Sequence, residues 1–88
     1  MISILYTRAF LRKLNKLDSA LAEEIVEKVE LFKDRKNHKS LKVHKLHGKL
    51  SDKYAFSVNC RVKVIFQYST GDKDEVYVVA VDTHDIYR

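Results

Sequence analysis

The hydrophobic period changes once along this chain, and that change constrains the fold more than any single motif. Between residues 10 and 32 apolar side chains recur every three to four positions, whereas from Tyr54 to Val81 they recur at every second position. The first spacing lays one stripe along a helix; the second lays one face along a strand. Thr7 is placed to cap a helix on which Phe10, Leu11, Leu14 and Leu17 share a face. Asp18 or Ser19 opens a second helix with a broad stripe of Leu21, Ala22, Ile25, Val26, Val29 and Phe32. Glu23, Glu24, Glu27, Lys28 and Glu30 fall on its outer face. The joint between the two is short, which predicts an antiparallel helical hairpin.

Neither helix can bury its stripe alone, so both require a sheet. Met1 to Tyr6 alternates as a short strand. Tyr54, Phe56 and Val58 alternate with Ala55, Ser57 and Asn59, and Val62, Val64, Phe66 and Tyr68 alternate with Arg61, Lys63, Ile65 and Gln67. The turn-rich stretch Ser69 to Asp74 leads into a last strand, Glu75 to Val81. The expected architecture is α+β in the order β-α-α-β-β-β, a helical hairpin on a mainly antiparallel four-stranded sheet. With 45% hydrophobic residues, two Gly and no Pro, there is core material and little linker material, so residues 1–88 form one domain.

Charge is distributed unevenly. Residues 1–34 hold six Lys/Arg and six Asp/Glu, whereas residues 35–63 hold nine Lys/Arg against the single acid Asp52. That block, which includes Lys39, Lys42, Lys45, Lys49 and Lys53, attracts a polyanion through counterion release without reading its sequence. A nucleic acid or an acidic protein fits it, as does a merely solvated face. If Val62, Val64 and Phe66 turn to the core, Arg61 and Lys63 project together from the opposite face, where they can hold phosphate. The C-terminal run Asp82-Thr83-His84-Asp85-Ile86-Tyr87-Arg88 adds an imidazole, a phenol and a guanidinium beyond an apolar strand. His84 can exchange a proton near neutral pH, and Tyr87 and Arg88 can stack on a base or hold a phosphate.

Other chemistries have less support. His44-x-x-His47 has a spacing compatible with zinc, but no Cys, Asp or Glu pattern completes a tetrahedral site, so no metal or other cofactor is expected. The single cysteine, Cys60, excludes an internal disulfide, fits a reducing compartment and reads as a half-buried structural residue on a strand. His38 and His47 read as polar loop residues. No apolar run approaches the ~18 residues of a membrane span. The N-terminus lacks a signal-peptide pattern, so a cytoplasmic location and no membrane partner are expected.

The ordered segments Leu46-His47-Gly48-Lys49-Leu50, Tyr54-Ala55-Phe56-Ser57-Val58, Arg61-Val62-Lys63-Val64-Ile65-Phe66 and Val81-Asp82-Thr83-His84-Asp85-Ile86-Tyr87 resemble the RelE/ParE toxin superfamily, closest to its YafQ-like and RelE-like branches. The resemblance spans nearly the whole chain and implies a RelE-like fold. It further implies a toxin that cuts messenger RNA in the ribosomal A site without a metal, and that a RelB/DinJ-like antitoxin neutralises. On that resemblance His84 matches the general acid and His44 a base or phosphate ligand. Arg61 or Lys63 matches the cation at the transition state, and Tyr87 the base-stacking aromatic. Lys39, Lys42, Lys45, Lys49, Lys53 and Arg88 are the expected RNA-binding residues. The pattern is a hybrid: Ser57 stands where the YafQ branch has a further histidine, and Ala55 and Ser57 where the RelE branch has lysines. A non-catalytic interaction module of the same fold and a ParE-like gyrase inhibitor are the alternatives.

Overall fold

The structure, a computed structural model, describes residues 1–83. Strand β1 (Ser3–Tyr6) leads into helices α1 (Arg8–Lys16) and α2 (Ser19–Phe32), followed by a short strand β2 (His44–Lys45) and strands β3 (Tyr54–Ser57), β4 (Lys63–Ser69) and β5 (Asp72–Asp82). The five strands form one sheet in the order β1-β5-β4-β3-β2, parallel only between β1 and β5. The α+β order expected from the sequence is present, with one strand more than the four expected. The addition, β2, is two residues long, too short to leave a period, and pairs His44 with Ala55 and Lys45 with Tyr54 at the edge.

Local chemistry sets the helix starts. The Thr7 hydroxyl accepts from the Phe10 amide at 3.2 Å and donates to the Val78 carbonyl at 2.9 Å, so one side chain both caps α1 and ties it to β5. A carboxylate oxygen of Asp18 accepts from the Ala20 and Leu21 amides at 3.1 and 3.4 Å and starts α2. Phe10, Ile25, Val29 and Phe32 are buried from the helix side against Phe56, Val64, Phe66, Val76 and Val78 from the sheet. α1 lies against β5. Phe32 is the hub, with ring centroids 4.8 Å from Phe56 and 4.6 Å from Phe66. Truncating such a ring costs about 3–5 kcal/mol.

A bulge in β5 decides which side chains reach the face away from the helices. Phe66 pairs with Val78 but Ile65 pairs with Ala80, which leaves Val79 as an extra residue. Burial therefore passes from Val76 and Val78 to Val81, a change of parity along one strand. On the core side Phe56, Val64 and Val81 form a buried row across β3, β4 and β5. On the other side Ser57, Lys63 and Asp82 form a row, next to the row of His44, Ala55, Ile65 and Ala80.

Candidate functional site

A cleft of about 630 Å³ opens at the β2–β3 edge of the sheet. His44 from β2, Ser57 from β3 and Lys63 from β4 reach it from the sheet; Ser40, Leu41 and Lys42 reach it from the preceding loop, and Lys28 from α2. The turn Val58-Asn59-Cys60 closes one end. A hydrogen bond from the Ser57 amide to the Leu41 carbonyl, 2.7 Å, docks the loop onto β3 and so fixes Lys42 beside the sheet residues.

The orientation of His44 is set by its backbone neighbour. Its Nδ1 lies 2.8 Å from the Lys42 carbonyl oxygen, which can only accept, so Nδ1 carries the proton and Nε2 keeps the basic lone pair. His44 is exposed and lines the cleft. Lys42 has φ 59°, the one positive φ outside glycine among the described residues. Lys63 sits at the first residue of β4, across the ladder from Ser57 on one side and Asp82 on the other.

The turn between β3 and β4 departs from the strand expected there. Asn59 accepts from the Arg61 amide at 2.8 Å and the Val62 amide at 3.0 Å, and its amide nitrogen donates to Glu24 on α2 at 3.2 Å. This side-chain turn holds residues 59–62 out of the strand, although burial still alternates through Val62, Val64 and Phe66. Arg61 stands on the turn ahead of β4, where it is exposed and lies outside the cleft lining. Cys60 is likewise exposed on the turn and lines the cleft, rather than being a half-buried strand residue.

The expected RNA-binding lysines separate into groups. Lys42 lines the cleft, whereas Lys39, Lys45 and Lys49 are exposed outside it. Lys45 follows His44 on β2 and therefore takes the opposite face. Lys53 lies 3.3 Å from Asp52. The basic block is also less bare than its sequence implies, because acids from outside it return. Arg35 bonds Asp74 at 2.8 Å and the Lys73 carbonyl at 2.6 Å, and Lys36 lies 3.5 Å from Asp34. Arg35, by hydrogen bond and then by charge, holds the Asp74 carboxyl below the usual carboxylate range. The Lys36 backbone amide is the main cause of the same effect at Asp34.

His38 is no simple loop residue. Its ring stacks on Phe32 at 4.5 Å and 5°, and its Nε2 donates to the Phe32 carbonyl at 2.8 Å. His47 precedes the 3-10 turn Gly48–Leu50 without capping it. Among the described residues no group of three or more His, Cys, Asp and Glu side chains is placed to hold a metal ion, and no helix is long and apolar enough to cross a membrane. β5 carries the chain to buried Thr83; His84, Tyr87 and Arg88 lie outside the described residues.

Two helices on one face of this mostly antiparallel five-stranded sheet make the fold of the RelE/ParE-like toxins. The toxin–antitoxin complex RelBE2 from Mycobacterium tuberculosis contains a chain that superposes with a TM-score of 0.72 at 16% identity, covering 93% of this chain and 96% of that one. The intact RelBE complex of E. coli gives 0.70 at 19%, covering 94% and 96%. The YoeB–YefM complex from Staphylococcus aureus gives 0.68 at 13%, covering 93% and 95%. No protein-family model and no curated protein matches the chain.

Proposed function

We propose that this chain is the toxin of a toxin–antitoxin pair and a metal-free, ribosome-dependent endonuclease of messenger RNA, acting in the cytoplasm. The observation that carries the reading is one cleft lined by Lys42, Lys63 and a histidine whose Nδ1 is bound to a carbonyl, which leaves Nε2 as the ring's acceptor. His44 accepts the proton of the ribose 2′-hydroxyl as that oxygen bonds to phosphorus. Lys63 stabilises the charge that gathers on the phosphoryl oxygens. The bond from phosphorus to the 5′-oxygen breaks, and His84 returns a proton to the leaving oxygen. The products are a cyclic phosphate and a 5′-hydroxyl, and no oxidant or metal enters the balance. Tyr87 stacks on a base, and Arg88, the exposed lysines Lys39, Lys45 and Lys49 and the half-buried Lys53 hold flanking phosphates. Arg61, from the turn, is a further phosphate contact. The antitoxin is an acidic RelB/DinJ-like chain that covers the basic surface.

The test is cleavage on purified ribosomes programmed with a defined messenger RNA, with ends mapped. New ends are expected for the unaltered chain, slowed about 10²- to 10⁴-fold in His44→Ala and in His84→Ala. Intact messenger RNA with accumulating DNA breaks in cells would replace this reading with gyrase inhibition. Intact RNA and unbroken DNA would leave a binding module.

A further inference from the structure

We propose that Lys28 is a further RNA-binding residue, which holds a backbone phosphate against the α2 wall of the cleft. The inference rests on the RNA reading above and adds a contact from the helix layer, on a surface that otherwise carries acids. Lys28 lies four residues after Glu24, the spacing and order that favour a Glu–Lys pair along a helix. Glu24 is engaged elsewhere: its Oε1 accepts from the Asn59 amide at 3.2 Å. Lys28 is in no salt bridge among the described residues and instead lines the cleft with Lys42, Lys63 and His44. No Asp or Glu lines that cleft. Three lysines lining one concave space concentrate a positive potential there, which an anion relieves.

The experiment uses a short single-stranded 2′-deoxy oligonucleotide, which offers phosphates but no attacking hydroxyl, titrated into the full chain at several salt concentrations. Lys28→Ala is expected to weaken binding roughly 2- to 5-fold. The slope of log affinity against log salt should become shallower by about 0.7, the value of one phosphate contact on a single strand. Lys28→Arg should keep both, and Lys16→Ala, on the exposed end of α1, should change neither relative to the unaltered chain beyond a general charge effect. Thermal melting of each variant reports folding separately. No binding by the unaltered chain, or an unaltered slope in Lys28→Ala, overturns the proposal. So does unchanged oligonucleotide binding with weakened antitoxin binding, which would assign the cleft to an acidic protein. A Lys28-dependent slope in a chain that cuts no messenger RNA sustains the phosphate site and removes only the cleavage reading.

Discussion

His44 takes its ring orientation from Lys42, whose carbonyl receives the Nδ1 proton at 2.8 Å while its own backbone sits at φ 59°. A left-handed conformation costs an L-residue about 1–2 kcal/mol relative to glycine, and such positions concentrate at functional sites. The strain is tolerated because the neighbouring Leu41 is buried and its carbonyl is bound to the Ser57 amide.

Comparing Lys42→Gly with Lys42→Ala separates that strain from the charge. Both variants lose the ammonium group, but only glycine adopts the observed φ without a steric penalty. Lys42→Gly is therefore expected to be more stable than Lys42→Ala by about 1 kcal/mol in chemical denaturation. RNA affinity should fall equally in both. Equal stabilities would show that the left-handed turn carries no strain.

His38 and His44 should respond in opposite ways. Removing the His38 ring deletes its stack on Phe32 and a hydrogen bond to the Phe32 carbonyl, so His38→Ala should cost about 1–3 kcal/mol of stability. His44 is exposed, and its replacement by Ala should change stability by less than about 0.5 kcal/mol. Urea denaturation of the two variants checks the contrast, which the cleavage assay should reverse. A stable His38→Ala protein would mean that the stack adds nothing to the core.

These contrasts mark where the sequence was readable. The helix starts were legible because Thr7 and Asp18 are residues whose side chains satisfy free amides, and each stands immediately before an apolar stripe. The bulge at Val79 was not, because Val76 to Val81 is apolar at all positions and a slip of one residue leaves no trace in the pattern. Alternation placed Cys60 and Arg61 on a strand, but the Asn59 side chain substitutes for a ladder there and makes a turn. Lys28 was hidden among glutamates, at a spacing that reads as an ordinary helical ion pair. His44 was legible through the family resemblance; its tautomer depends on a carbonyl that only the folded backbone supplies.

Acid should weaken one identifiable clamp. Arg35 holds the β4–β5 hairpin through Asp74, whose carboxyl titrates below its ordinary range. A depressed carboxyl adds stability above its unfolded value, and that share is lost as pH falls through the folded value. Asp74→Asn should therefore melt below the unaltered chain at neutral pH, with the gap constant down to about pH 5 and closing below it. The pair is exposed, so the neutral gap should be small. A gap that stays constant with pH would assign the difference to something other than ionisation.

The link between Asn59 and Glu24 gives a way to alter the cleft without touching a cationic residue. Asn59→Ala removes acceptors for the Arg61 and Val62 amides together with the donor to Glu24, and should cost about 1–3 kcal/mol. Asn59→Asp keeps an acceptor for both amides, so the turn should persist. It loses the donor, however, and sets a second carboxylate against Glu24. The two acids repel, Glu24 is released towards Lys28 four residues along α2, and a negative charge enters the cleft lining. Oligonucleotide affinity should then fall at least as far as in Lys28→Ala, while melting temperature falls less than in Asn59→Ala. Adding Lys28→Ala to Asn59→Asp should produce less than the sum of the two binding losses, because the first change has already neutralised the lysine. Strict additivity in that double-mutant cycle would show that Glu24, Asn59 and Lys28 act independently.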